Sequence, residues 1–359
     1  MVFFARGSQK EIEEWNGSRI VRTPLQYGGY ESWFLRANHP ERPLAFWIRY
    51  TLTRPPFDLF RAKGEIWAFL FDGERNSVIG IKESHPYIGS RFATNCLFVE
   101  IGDASLRPGE AEGRVSSEGH AIRWRLRYAS SSPPLLLLPK PLYDLPFPRA
   151  KALVSAPMAS FDGEIAVDQE SWPIDSWVGS LNHNWGREHT PEYAWAQVAG
   201  FDNAKDAFLE VACARIQLSK RGSLLSPPLG AMVLRLGDRE IRYSPFQISA
   251  SFRSELNGLR WRFRLNTKAK GISGEIFAPH GHFVALTYDN PTGEKLTCLN
   301  SKIASASIRV EERGRLVEHL ETAHRAAFEL LSPAPPPPGI RPLVVKEKSG
   351  ALGFGEDIA

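Results

Sequence analysis

IRWRLRY (residues 122–128) and LRWRFRL (residues 259–265) decide the fold class. In each, three arginines fall on one face while Trp, Leu, Ile, Phe or Tyr fall on the other. A period of two is the geometry of a β-strand with one face buried. The same reading extends to LAFWIRYTL (44–52). Leu44, Phe46, Ile48, Tyr50 and Leu52 share one face, and Ala45, Trp47, Arg49 and Thr51 the other. GEIWAFLF (64–71) is apolar on both faces, which predicts a strand covered on both sides. Asp72-Gly73, Glu118-Gly119, Asp162-Gly163 and Asn257-Gly258 punctuate the strands as turns. Short strands at such spacing predict an all-β chain built of antiparallel barrels or sandwiches, and a barrel of about eight strands can enclose a small ligand. Helix is confined to short pieces. Ser8 and Glu11 have capping-box spacing and open a helix to Trp15. LETAHRAAFELL (320–331) reads as a last strand, because Ala326, Phe328 and Leu330 alternate with charged or small residues.

The tryptophans suggest a repeat. YESWFLRA around Trp33 matches NHNWGREH around Trp185, AFWIRYTL around Trp47 matches YAWAQVAGF around Trp195, and Trp124 matches Trp261. GEIWAFLF and DAFLEVACA then fall between the second and third pairs. The order is kept and the separation shortens along the chain, as two copies of one β unit with shorter loops in the second would give. Four segments follow: a helical stretch at 1–17, a first barrel at 18–175, a second at 176–335, and a Pro-rich end and tail at 336–359, poorly ordered after PAPPPPG (333–339).

Composition excludes several classes. The chain has 359 residues, ten Trp, three Met and three Cys, and a formal net charge of +4. Its 43% hydrophobic residues are enough for a core. The charge is too mild for a nucleic-acid partner. No run approaches the roughly 20 apolar residues of a membrane helix, and the N-terminus lacks the pattern of a secretory signal. Cys96, Cys213 and Cys298 are odd in number and far apart, which fits a reducing, cytoplasmic setting. SSPPLLLLPKPLYDLPFPRA (131–150) is too rich in proline for a helix or central strand. It reads either as an irregular loop over a barrel end or as an apolar lid, with peripheral membrane contact the sharper form of the second reading. No phosphate loop, GxSxG or dinucleotide fingerprint occurs, so no cofactor is expected. His280-Gly281-His282 lacks an evident third ligand, so no metal is expected either.

The residues most able to carry chemistry lie in 171–198, which holds four Trp and two His. On strands His183 and Trp185 share a face, as do Tyr193, Trp195 and Gln197. Aromatic faces beside Asn182, Asn184 and Gln197 suit a pocket for a hydrophobic small molecule. They suit equally a packed barrel end with a satisfied histidine.

Asn-His-Asn-Trp-Gly (182–186) followed by Tyr-x-Trp-x-Gln (193–197) resembles the signature of the carotenoid 1,2-hydratase (hydroxyneurosporene synthase) superfamily and its tocopherol cyclase-like relatives. Tyr30-Glu31-Ser32-Trp33-Phe34 is similar to the Tyr-Glu-Gly-Trp-Tyr of the cyclases. The resemblance spans about residues 20–335 in layout and is specific at 30–36 and 182–197. It implies two tandem lipocalin-like (calycin-type) β-barrels and cofactor-free hydration, isomerisation or cyclisation of a terpenoid or polyketide, including pericyclic closure. Protonating an alkene takes a strong acid held in a dry cavity, with π-faces around the cation. Where the hydratases commonly have Asp before His, this chain has Asn182. Where they place Tyr-x-Asp on the next strand, it has Phe208-Leu209-Glu210. Glu210 is therefore the candidate acid and His183 its partner, with Glu31, Trp33, Asn182, Trp185, Tyr193, Trp195 and Gln197 as binding residues. The alternatives are an exposed strand carboxylate or Arg215 partner for Glu210, a structural acceptor for Glu31, and a non-catalytic carrier for the whole chain.

Overall fold

The computed structural model describes residues 9–145, 147–218, 224–245, 247 and 250–340. Ser8 of the capping pair and the tail after Ile340 lie outside them. Helix α1 (Gln9–Asn16) forms where expected. Most of the described chain after it is strand. The first sheet contains β1 (Gly29–Asn38), β2 (Leu44–Arg54), β3 (Lys63–Asp72), β4 (Ser77–Pro86), β5 (Arg91–Phe92), β6 (Val99–Ile101), β7 (Ala104–Arg107), β8 (Glu110–Ser117), β9 (His120–Ala129), β10 (Leu135–Leu136), β11 (Ala150–Val167) and β12 (Glu170–Gly186). The second contains β13 (Glu192–Ala199), β14 (Phe208–Arg215), β15 (Leu229–Leu236), β16 (Arg239–Tyr243), β17 (Ser251–Asn257), β18 (Arg260–Asn266), β19 (Lys270–Phe277), β20 (Val284–Asp289), β21 (Lys295–Glu312) and β22 (Arg315–Ser332). Residues 320–331 are thus strand, as their alternation predicts. No helix among the described residues is long and apolar enough to cross a membrane.

Both sheets are antiparallel and share one topology. The first runs β4-β3-β2-β1-β12-β11-β9-β8-β7-β6-β5 with β10 on β11, and the second β16-β15-β14-β13-β22-β21-β19-β18-β17 with β20 on β21. Strands β1–β4 therefore correspond to β13–β16, and the β11/β12 hairpin to β21/β22. Each of these long hairpins carries three register shifts. Such bulges bend a long strand so that one strand can serve two surfaces. Gly163 sits at one of them with φ +135°, where a Cβ would run into the Arg125 carbonyl. Each sheet curls until β4 approaches β8, or β15 approaches β17. The result is two half-barrels in tandem.

The expected residue pairs of the repeat are corrected. Trp33 and Trp185 lie on β1 and β12, hydrogen-bonded neighbours in one sheet, with Glu31 opposite Trp185. Trp47 is on β2 but Trp195 on β13, the counterpart of β1. Trp124 is on β9 but Trp261 on β18, the counterpart of β8. Every match is one strand out. The cause is the shared alternation: each strand that lines a half-barrel resembles its neighbour as closely as its counterpart. The same slip misplaces the boundary. Position 175/176 falls inside β12, and the change of sheet lies between Gly186 and Glu192.

Each half-barrel is filled by its own side chains. Trp33, Leu35, Phe46, Ile48, Tyr50 and Trp124 belong to the first core, and Val198, Leu209, Val211, Trp261 and Phe328 to the second. The opposite faces of β1–β3 are buried too, with every residue of β1 and β2 buried. Phe34, Trp47, Trp67, Phe69 and Phe71 pack there against Leu286, Tyr288, Leu296 and Cys298 of the second sheet. The two-sided burial expected of 64–71 is therefore burial between the half-barrels. At about 1.5–3 kcal/mol for each large side chain taken from water, this layer is a substantial part of the fold's stability.

Candidate active site between the half-barrels

Alternation on β13 sends Ala194, Ala196 and Val198 into the second core and turns Tyr193, Trp195 and Gln197 toward the first half-barrel. On β14, Leu209 and Val211 point into the core and Glu210 points out, directly opposite Gln197 in register. The two half-barrels enclose a cavity of about 250 Å³ here. Its wall includes Tyr30, Phe34, Trp47, Arg49, Asn182, Asn184, Tyr193, Trp195, Glu210, Tyr288 and Glu329.

The Pro-rich segment covers this cavity. Leu135 and Leu136 pair with β11, and Leu135 and Leu137 pack with Val154, Ala199, Phe208 and Val233 of both sheets. Arg235 of the second sheet donates to the carbonyls of Pro133 (2.5 Å) and Pro134 (3.1 Å). Leu137, Leu138, Phe147 and Pro148 reach the cavity wall.

A directed hydrogen-bond network holds Glu210. Trp195 Nε1 donates to Oε1 at 2.7 Å, and Gln197 Nε2 donates to Oε2 at 2.7 Å. Gln197 Nε2 also donates to Asn182 Oδ1 (2.9 Å). Gln197 Oε1 accepts from Arg36 Nε (2.7 Å) and Ser180 Oγ (2.6 Å). Asn182 Nδ2 closes the ring on Ser180 Oγ at 2.8 Å. Every donor meets an acceptor, which fixes the orientation of both amides. Glu210 is 2% exposed, and burial pushes its pKa up to about 7, against the pull of the Trp195 and Gln197 hydrogen bonds. A second carboxylate, Glu329 on β22, stands opposite Trp195 in register. Lys302 Nζ at 2.7 Å, Asn300 Nδ2 at 2.8 Å and the Tyr193 hydroxyl at 3.1 Å bind it. Burial raises its pKa, but the Lys302 charge and hydrogen bond outweigh that and hold it below the usual carboxylate value. Two neighbouring carboxyls with pKa values driven apart is the pattern of an acid beside a fixed anion.

The expected site residues divide into two groups. Asn182, Tyr193, Trp195 and Glu210 line the cavity, and Gln197 stands behind Glu210 without lining the cavity. Glu31, Trp33, His183 and Trp185 do not reach it. Asn182 and His183 are consecutive on β12, so they face opposite ways. His183 Nε2 contacts Glu31 Oε1 at 2.9 Å, and its ring stacks on Trp33 at 4.7 Å. Glu31 also accepts from Ser18 Oγ (2.6 Å), Arg19 N (2.7 Å) and Ile20 N (3.1 Å). With these four contacts Glu31 ties the chain at 18–20 to β1, as a structural acceptor at the barrel end. Trp185 packs with Trp15, Tyr143 and Leu153. The pairing of Glu210 with His183 is thereby corrected: Glu210 has Trp195 and Gln197 as partners instead. Arg49, Tyr288, Lys302 and Glu329 complete the site and are not among the residues expected from the sequence. Arg49 and Glu329 have a sequence signal, a charge inside a largely apolar strand, as in AFWIRYTL and AAFELL, whereas Tyr288 and Lys302 have none. Among the described residues no group of three or more His, Cys, Asp and Glu is placed to hold a metal.

No family model matches the chain. The uncharacterized protein Rv0493c of Mycobacterium tuberculosis is 24% identical over 313 residues, covering 87% of this chain and 90% of its own. Among solved structures, kievitone hydratase from Nectria haematococca superposes with a TM-score of 0.55 at 10% identity, covering 92% of this chain and 94% of its own. CghA superposes with a TM-score of 0.53 at 11% identity, covering 85% and 88%. At these identities the likeness is one of fold: tandem lipocalin-like half-barrels.

Proposed function

We propose that the chain is a cofactor-independent enzyme that acts on a lipophilic terpenoid or polyketide by protonating a double bond at Glu210, leading to hydration, isomerisation or cyclisation. The observation that carries this reading is the buried Glu210 carboxyl on the wall of an aromatic cavity, poised near pH 7 by burial. A general acid works best with a pKa close to the working pH. As the proton leaves, charge develops on Glu210, and the Trp195 and Gln197 donors already stand at 2.7 Å to receive it. The cation left on the substrate meets the faces of Trp47, Tyr193 and Trp195 in place of a nucleophile. A water or a hydroxyl of the substrate then adds to the cation, and its proton returns to Glu210. The hydratase named among the structural neighbours supports this reading, as does the resemblance of 182–197 to the carotenoid 1,2-hydratases. His183, the residue most prominent in that resemblance, acts here in holding the barrel end.

The test is turnover of a panel of prenylated phenols and acyclic terpenoids, read by mass spectrometry as gain of water or as a new isomer. Glu210→Gln should lower the rate by about 10²–10⁴-fold with ligand binding retained. In the wild type kcat/KM should fall as pH rises through about 7, as the acid form is lost. Unaltered ligands held equally by wild type and variant would establish the carrier reading instead.

A further inference from the structure

Arg49 is a charge at the cavity with no hydrogen-bonding partner among the described residues. It lies on β2 between Phe34 of β1 and Trp67 of β3 in register. It is 5% exposed and lines the cavity. Its guanidinium carbon lies 4.3 Å from the Tyr288 ring centroid, 5.5 Å from that of Trp67 and 5.9 Å from that of Trp47. Its Nε is buried and makes no hydrogen bond. Other buried cations at this interface make hydrogen bonds or ion pairs, although Arg325 Nε and Nη1 are left without one. Arg36 reaches Gln197, Asn38 and the Arg325 carbonyl, and Arg325 reaches the Ala199 carbonyl. Lys302 is paired with Glu329, and Lys151 donates to the Pro148 carbonyl. Glu329, whose charge Arg49 feels, is already committed to Lys302, Asn300 and Tyr193.

Nearby charge, Glu329 included, favours the Arg49 cation despite its burial, but no acceptor among the described residues hydrogen-bonds its guanidinium, and hydrogen bonds left unmade by a buried cation are costly. An anion delivered by a ligand relieves that cost, and the planar fork of Arg binds a carboxylate through two parallel hydrogen bonds. We infer that Arg49 is the headgroup subsite of the cavity, and that the ligand is a lipophilic carboxylic acid whose carboxylate docks on Arg49 while its apolar body lies among the aromatic rings. Tyr30, buried on the same cavity wall, lies further along β1, opposite Thr53 of β2. The inference rests on the cavity being a ligand site. It names the end of the ligand remote from the chemistry at Glu210.

The experiment is isothermal titration of the full chain with decanoate and with methyl decanoate, which match in apolar body and differ in charge. Wild type should prefer the acid by at least about tenfold, ~1.4 kcal/mol. Arg49→Met should bring the ratio to about one by weakening decanoate alone, and Arg49→Lys should keep a preference for the acid. The same ratio in Glu210→Gln as in wild type would place the preference at Arg49 whatever Glu210 does in catalysis. Equal binding of acid and ester by wild type, or an unchanged preference in folded Arg49→Met, would overturn the subsite and leave the reading of Glu210 standing. Failure of both probes to bind would overturn the cavity as a ligand site and the subsite with it. If Arg49→Met does not fold, the wild-type comparison decides alone.

Discussion

Glu210 links catalysis to stability through one proton. Its pKa rises from 4.5 to about 7 on folding, because burial outweighs two neutral donors. Between those values the folded chain keeps a proton that the unfolded chain releases. The carboxyl's contribution is therefore fully present below pH 4.5 and is lost as pH rises through about 7. Each tenfold change in proton affinity is worth about 1.36 kcal/mol, so the loss by pH 8 is roughly 3 kcal/mol. Glu210→Gln cannot ionise, so its stability relative to wild type should improve by about that amount between pH 4.5 and pH 8 in urea unfolding. A difference that stays constant across the range would mean that Glu210 ionises in the folded chain as it does in the unfolded one. Glu210 is found through the resemblance, because Phe208-Leu209-Glu210 stands where the hydratases place Tyr-x-Asp. His183 is misread there as its partner, although strand parity already separates it from Asn182. Arg49 and Glu329 show in the sequence only as charges in apolar strands, and Lys302 lies in the polar stretch LNSKIAS without any such mark. What each one meets is set by the other sheet, and no local pattern encodes that.

The strands themselves are legible in the sequence, and their correspondence is not. Period-two alternation identifies β2, β9, β18 and β22, a run apolar on both faces identifies β3, and the outward arginines Arg123, Arg125, Arg127, Arg262 and Arg264 of β9 and β18 are in solvent. Which strand lies beside which depends on register and crossover, and similar alternation on neighbouring strands hides both. The Pro-rich segment shows the converse. Its composition excludes regular structure, while its role as a cover depends on Arg235 from another sheet. Pro133 and Pro134 have no N–H for a ladder, but their carbonyls accept from Arg235, and Leu135 and Leu137 are buried at 0% and 8% exposure. Arg235 is also paired with Glu240 at 2.8 Å, which steadies its fork. Arg235→Ala should release the cover without unravelling β15, whose Met232, Val233 and Leu234 are fully buried. Hydrogen exchange should then speed up at the amides of residues 135–138 and remain slow at 232–234. Unchanged exchange at 135–138 would show that pairing with β11, leucine packing and the Arg242 bond to the Leu136 carbonyl hold the segment without Arg235.

The two half-barrels repeat one topology, yet the first cannot present its β1–β3 face to water. Phe34, Trp47, Trp67, Phe69 and Phe71 form a continuous apolar surface there, and soluble monomers rarely expose one so extensive. The site has the same dependence, since Glu210 and Trp195 come from the second sheet and Arg49, Asn182 and Trp47 from the first. Trp47 joins the two functions. It is 1% exposed, packs on Phe69 at 5.3 Å within its own sheet, and lies under Lys302 of the other at 4.9 Å. Removing a buried Trp side chain costs about 3–5 kcal/mol. If the half-barrels unfold as one unit, Trp47→Ala should lower the Tm of a single calorimetric transition, and calorimetric and van't Hoff enthalpies should agree in both proteins. Two resolved transitions, with only one shifted by the substitution, would mean that each half is stable without its neighbour. The layer between them would then be a mobile contact, and the cavity would open and close with it. A single transition instead makes the cavity part of the cooperative core, with its polar groups held in place before any ligand arrives. A general acid that must keep its proton in a dry site needs that rigidity, because water admitted to Glu210 would lower its pKa toward the ordinary carboxylate range.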